Sequence, residues 1–176
     1  RRRHSFPTRR SSDLVVMYLA SAGVGQITIV DDDQVDLTNL QRQIAHSHQR
    51  VGMNKALSAQ VAAHELNPDV IVNALPERLQ AERLNELVSQ ADVVFDCTDN
   101  FKTRHAINVA CVKSKVPLVS GAAIGFDGQI SVFDLRQSDA ACYACLFSPE
   151  QNFEEVQCST MGVFAPLVGI IGTMQA

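Results

Sequence analysis

The sequence predicts an α/β fold: a Rossmann-like, mostly parallel sheet with helices on both faces. Three observations carry this expectation. Short β-rich runs alternate with helical patterns up to residue 120, the order that builds βαβ units. Two of the β-rich runs end in acidic clusters, Asp31-Asp32-Asp33 and Asp96-Cys97-Thr98-Asp99-Asn100, at the strand ends where open parallel sheets hold ligands. Hydrophobic residues make up 46 % of 176, enough for one buried core.

The elements follow in order. Residues 14–23 read as the end of a helix stopped by Gly23. Gln26–Val30 is a short strand, and residues 34–50 are polar and irregular. An alanine-rich helix is expected over 55–65, closed by Asn67-Pro68, and a strand over 70–74. Ala81–Ser89 repeats Leu84, Leu87 and Val88 on one helical face. A buried strand is expected over 93–95, a helix over 103–113, and strands over 117–120 and 129–133. Residues 138–161 bear cysteines and read as loop, and 162–176 as a buried helix with Pro166 near its first turn.

The stretch 1–13 differs from the rest. It has no apolar periodicity and holds five arginines. It reads as a non-native or disordered segment, a tag, linker or assembly scar, rather than a basic arm gripping an acidic partner. The domain is therefore expected over 14–176, as a truncated unit lacking its first strand. A glycine-rich phosphate turn should lie about 20 residues before Asp31, yet no glycine precedes Gly23, so the glycine loop is expected to be missing too.

The whole chain has a formal charge of −4, and without residues 1–13 it would be −8. So acidic a body is a poor ligand for nucleic acid or an anionic membrane. There is no apolar run of bilayer length and no secretory signal pattern, so a cytoplasmic protein is expected. Five cysteines, an odd number, argue against a disulfide framework.

Asp31, Asp99 and Asn100 stand at strand ends, with Arg42 and Lys55 between them in sequence. Carboxylates able to hold Mg²⁺, together with Arg and Lys, are the parts that phosphoryl or nucleotidyl transfer needs. Arg42 suits a forked contact to phosphate oxygens, and Lys55 a point charge. Each residue alone would be an ordinary surface charge; the set is what points to a site.

The runs ASAGVGQITIVDDDQVDLTNLQRQ, DCTDN, VPLVSGAAIGFDGQISVF, CYAC and GVFAPLVGIIGTMQA resemble the ThiF/MoeB/HesA family, bacterial relatives of ubiquitin-activating enzymes, and lean toward its MoeB branch. The resemblance implies ATP-dependent adenylation of the C-terminal Gly-Gly carboxylate of a small ubiquitin-like sulfur-carrier protein. Pyrophosphate would be released, in molybdopterin or thiamine biosynthesis. It implies that Asp31 binds the ribose, that Asn39 and Arg42 contact phosphate with Gln41 between them, and that Lys55 binds phosphate. It also implies that Asp99 acts with Mg²⁺ and the reacting phosphates, with Asn100 beside it. Arg42, Lys55 and Asp99 are thereby the expected catalytic residues. A homodimer and a sulfurtransferase partner are implied as well. The same fold also hosts NAD(P)-binding oxidoreductases and non-catalytic subunits that only dock a carrier.

Cys142-Tyr143-Ala144-Cys145 supplies two of the four ligands a structural Zn²⁺ takes; the alternatives are a redox pair or two packed thiols. Family resemblance favours half a zinc site, the second pair lying beyond Ala176. Cys158 matches a family thiol able to join a carrier or a sulfur relay, or is an exposed loop cysteine without a role. Cys97 and Cys111 are expected in the core, and the pair His46 and His48 in a solvated loop.

Overall fold

The computed structural model describes residues 4–8, 12–137, 139–150 and 162–176. Six strands form one sheet in the order β3-β2-β1-β4-β5-β6. They are β1 (His4–Thr8), β2 (Gln26–Val30), β3 (Ile71–Leu75), β4 (Val93–Asp96), β5 (Leu118–Ile124) and β6 (Asp127–Phe133). The first five run parallel, and β6 returns antiparallel along β5. The expected α/β class, with helices on both faces of a mostly parallel sheet, is the observed one.

One expectation is corrected. The first strand is not missing: β1 lies between β2 and β4, with Ser5 opposite both Ile27 and Val93. A gap there would leave the facing backbone edges of two central strands without hydrogen-bond partners deep in the sheet, and any extended segment in reach can satisfy them, whatever its side chains. Pro7, opposite Phe95, brings no N–H, so the ladder lacks one donor there. The other half of the expectation stands in the sequence: the three residues from β1 to the next helix are Arg9, Arg10 and Ser11, with no glycine.

That helix, α1 (Ser12–Ser21), begins two residues ahead of the expected boundary. It ends in a Schellman-type turn: Gly23 has φ +76° and donates to the Ala20 carbonyl, while the Val24 amide reaches Leu19, a left-handed position that suits glycine. α2 (Lys55–Leu66) is capped by Asn54, whose Oδ1 accepts from the amides of Ala56 and Leu57. Among the described residues the other α-helices are α3 (Ala81–Ser89), α4 (Phe101–Ser114), the single turn α5 (Tyr143–Leu146) and α6 (Ala165–Gln175). α5 replaces part of the expected loop.

Side-chain alternation along the strands divides the core. Ile27, Ile29 and Phe95 face α1 and α2, where Val15, Val16 and Leu19 pack on Ala56, Ala59 and Ala63. Val30, Val94 and Leu118 face α3 and α4, with Leu84, Leu87, Val88 and Ile107. α6 packs on α1 and on the β5–β6 hairpin. Cys97 and Cys111 are buried in these layers as expected. Among the described residues no helix is long and apolar enough to cross a membrane.

Candidate functional site

Parallel strands leave their carboxyl ends on one edge, and loops leaving β2, β3 and β4 converge there. Between them lies a cavity of about 390 Å³. Its polar lining comes from Asp31 and Asp32 after β2, Glu77 and Arg78 between β3 and α3, Thr98 after β4, and Lys102 in the first turn of α4. Val30, Leu79, Leu84 and Ile107 form an apolar wall. A cleft lined by apolar side chains together with carboxylates and cations suits a ligand carrying both a ring system and charge.

Asp31 is buried at the tip of β2. Its Oδ1 accepts from the Asp33 amide at 2.9 Å, and its carbonyl accepts from Asn54 Nδ2 at 2.8 Å. The same amide group of Asn54 reaches the Asp33 carbonyl, so one cap residue ties the acidic run to the start of α2. Lys55 follows directly, its Nζ 3.1 Å from Asp33 Oδ2. Asp31, Asp32 and Asp33 have carboxylate oxygens within 4.8 Å of one another, a spacing that a hard divalent cation could bridge. Asp99 does not belong to that trio.

Arg42, Asn39 and Gln41 sit on the loop between β2 and α2. Asp36 caps a 3-10 turn, Leu37–Asn39, through the Thr38 amide, and Asn39 closes the reciprocal bond to the Asp36 amide. Arg42 Nη1 donates to the Thr38 carbonyl at 3.3 Å. This loop folds over the start of α2: hydrogen bonds from Thr38 hold the exposed Asp36 carboxyl below its usual range, and the charge of Lys55 adds to them. Of the residues expected from sequence, the structure brings Asp31 and Lys55 together through Asp33. Asp99 is exposed and Asn100 half-buried on the turn next to Thr98. The Arg42 loop stays beside the cavity, not in its lining.

His46 does not match the expected solvated pair. It is half-buried, with Nδ1 2.9 Å from Ser58 Oγ of α2. Burial, then the charges of Lys55 and Arg50, push its pKa down to about 4. The N-terminus of α1 holds a further surprise. Dinucleotide-binding folds present glycine amides to phosphate in this turn; here Asp13 is buried there, with no hydrogen bond of normal geometry to either oxygen among the described residues. Burial raises its carboxyl to about 6, against the pull of nearby backbone amides, chiefly that of Ala45. Among the described residues, Arg78 and Lys102 bring positive charge to the cavity lining.

Comparison with known proteins identifies the chain's relatives. The model of the ThiF family matches residues 13–176. The chain belongs to the ThiF family. It is 45 % identical over 160 residues to the sulfur carrier protein ThiS adenylyltransferase of Escherichia coli, covering 91 % of this chain and 63 % of that protein. It is 44 % identical over 161 residues to the molybdopterin-synthase adenylyltransferase of Salmonella typhimurium, with 90 % and 63 % covered. To the adenylyltransferase and sulfurtransferase MOCS3 of Dictyostelium discoideum it is 40 % identical, over 92 % of this chain and 38 % of that one. The chain thus spans less than two thirds of these relatives. Among solved structures, Escherichia coli MccB with MccA-N7isoASN superposes with a TM-score of 0.81 at 20 % identity, over 97 % of this chain and 54 % of that chain, a likeness of fold.

In this ThiF-family chain the paired cysteines lie away from the cavity, Cys142 at the N-terminal cap position of α5 and Cys145 within it. Cys142 and Cys145 have their sulfurs 3.6 Å apart, close to the roughly 3.8 Å edge of a tetrahedron with 2.3 Å Zn–S bonds. Partial burial pushes the Cys142 thiol up, but hydrogen bonds from Asn108 and Cys145, with the amides of Cys145 and Ala144, outweigh it and leave the thiol net lowered. The pair therefore fits two thiolate ligands. Cys158 lies outside the described residues, as does the segment 151–161 around it.

Sequence reasoning passed over Arg78, Lys102, Thr98 and Asp13. Lys102 carried one usable signal, its place two residues after an N-capping Asn100 at a strand end. Arg78 carried none, because only the fold brings its loop to the cavity.

Proposed function

We propose that this chain carries the nucleotide site of an adenylyltransferase that activates the C-terminal Gly-Gly carboxylate of a ubiquitin-like sulfur-carrier protein. The observation that supports it best is the cavity at the carboxyl ends of β2 and β4, lined by buried Asp31, by Lys102 and Arg78, and by apolar Leu79, Leu84 and Ile107. On this reading ATP and the carrier carboxylate are the substrates. Asp31 accepts from the ribose hydroxyls, and the adenine lies along Leu79, Leu84 and Ile107. Lys102, Arg78, Lys55 and Arg42 neutralise the phosphates, with Asn39, Gln41 and Asn100 hydrogen-bonding around them. Attack by the carrier carboxylate on the α-phosphorus forms an acyl-adenylate as pyrophosphate leaves. Charge grows on the phosphate oxygens in that step, so the cations and Asp99, acting with Mg²⁺, contribute most there. Lys55 is already paired with Asp33, so a phosphate bound there exchanges one anionic partner for another.

The same reading assigns Zn²⁺ to Cys142 and Cys145 with two further ligands, a structural role that fixes α5. It takes the chain to be cytoplasmic, partnered by a sulfurtransferase, and self-associated. Exposed Leu37, Ile44, Val51, Met53, Leu57 and Val61 form an apolar surface along the 37–53 loop and α2 suited to a second copy.

The test is ATP–pyrophosphate exchange by this chain with Mg²⁺ and a carrier ending in Gly-Gly. Asp31→Ala and Lys102→Ala are expected to lower kcat/KM for ATP by at least about tenfold. Exchange unchanged in both variants overturns the assignment of the cavity, and a nicotinamide-dependent absorbance change in its place points to hydride transfer.

A further inference from the structure

Arg104 lies one turn into α4 with its guanidinium buried. Its Nη1 donates to Asp96 Oδ2 and to Ser120 Oγ, each at 2.9 Å, and its Nη2 to the Gly121 carbonyl at 2.9 Å and to the Thr98 carbonyl. Asp96 is equally committed. Its Oδ1 accepts from the Thr98 amide at 2.9 Å and hydroxyl at 2.7 Å, and its Oδ2 from Ser120 Oγ at 2.9 Å as well as from Arg104. One buried ion pair thus links the end of β4, the middle of β5, the turn 97–100 and α4.

A buried ion pair is a costly way to fill a core; apolar side chains of similar volume often serve stability as well or better. What an apolar pair cannot do is hold backbone carbonyls beyond the strand ladders. The Thr98 carbonyl belongs to the peptide that joins Thr98 to Asp99, so gripping it fixes the plane from which Asp99 departs. On the other side, Asn100 Oδ1 accepts from the Thr103 amide at 2.9 Å. The turn is clamped on both flanks, and of its four residues only Asp99 is exposed toward solvent.

We infer that Arg104 is a positioning residue: its guanidinium fixes the peptide before Asp99 and so aims the Asp99 carboxylate at the reacting centre. This rests on the adenylation reading above. Misplacing a catalytic group by an ångström can cost on the order of a hundredfold in rate. Arg104→Lys keeps the charge beside Asp96 but cannot reach both carbonyls, because one ammonium replaces a planar fork.

Arg104→Lys is expected to lower kcat for pyrophosphate exchange about 10- to 100-fold while KM for ATP stays within about threefold, since Asp31 follows β2 and Lys55 opens α2, away from β4 and α4. In an Asp99→Ala background the same change should add less than about twofold, because two residues acting as a unit are not additive. A wild-type kcat in Arg104→Lys, or an equal loss in both backgrounds, overturns the inference. Amide hydrogen exchange supplies a readout that needs no activity: residues 97–100 should exchange about tenfold faster in Arg104→Lys with β2 and α2 unchanged. Unchanged protection of the turn overturns the inference. A wild-type chain with no pyrophosphate exchange sinks the adenylation reading, and the hydrogen-exchange arm still decides whether Arg104 holds the turn. If Arg104→Lys does not fold, Ser120→Ala removes one bond from each partner and leaves the ion pair, and should show the same pattern at smaller amplitude.

Discussion

At Gly121 one absent methyl group decides how two layers meet. A Cβ built there would lie 2.3 Å from Gln175 Oε1, well inside contact distance. Gln175 cannot step aside cheaply. It is buried; its amide nitrogen donates to the carbonyls of Asp96 and Val119 at 3.1 and 3.3 Å, and its oxygen accepts from the Cys97 thiol at 3.5 Å. Arg104 holds the Asp96 side chain from the α4 face while Gln175 holds its carbonyl from the α6 face, so the strand end under the candidate site is pinned from both sides. Gly121→Ala should therefore destabilise by about 2–4 kcal/mol, through overpacking and broken buried hydrogen bonds. Urea denaturation should show a lower midpoint at constant slope. Adding Gln175→Ala should recover part of the loss; a double variant worse than the sum of the singles would show that the clash is not the cause.

At the scale of elements, the start of α1 and the loop over α2 carry opposed titrations. The Asp13 carboxyl is raised from 3.8 to about 6 by burial, so its contribution is fully present below pH 3.8 and is lost as pH rises through about 6. His46 is lowered from 6.5 to about 4, so its contribution is present above pH 6.5 and is lost as pH falls through about 4. Each shift is worth roughly 3 kcal/mol as an upper figure, and between pH 4 and 6 the two slopes largely cancel. Asp13→Asn should gain stability at pH 7 and then lose it steadily from pH 6.5 to 4; His46→Gln should gain stability over the same descent. Thermal melts across pH 4–7.5 check both, and two parallel, flat profiles would refute the opposed pair. Neither effect was legible in the sequence, where Asp13 reads as part of a basic, non-native stretch and His46 as solvated loop. Both owe their burial to the 43–46 loop folding onto α1 and α2, a contact no local pattern encodes. Local pattern did carry α3, whose residues match expectation end to end because Leu84, Leu87 and Val88 repeat at helical spacing. It carried the start of β5 but not its extension through Gly121–Ile124, since only pairing with β6 makes so weak a β sequence extended. The candidate site divides the same way. Asp31 and Lys55 were legible as an acid ending a strand and a cation opening a helix, and Lys102 only through its place after the capping Asn100, whereas Arg78 and Arg104 gained their places from packing.

The whole molecule depends on a strand that its side chains do not predict. The family match begins at residue 13, yet His4–Thr8 stands in the middle of the sheet, paired on both edges. Its backbone pairing can be weighed: at roughly 1 kcal/mol net per hydrogen bond, a five-residue strand bonded to two neighbours contributes an amount comparable with the 5–15 kcal/mol total stability of an ordinary domain. Without it, β2 and β4 present facing edges with unsatisfied donors and acceptors, open to association with other chains. A variant lacking residues 1–11 should lose cooperative urea unfolding, bind a hydrophobic dye and associate at micromolar concentration. Because the backbone carries the effect, replacing residues 4–8 with five valines should keep the fold, and restoring the N–H at position 7 should strengthen it. The decisive comparison is between these two variants. If the shortened chain unfolds at the wild-type midpoint with the same slope, the sheet does not need β1. If the valine variant fails as badly as the shortened chain, side chains and not backbone pairing hold the centre of the sheet together.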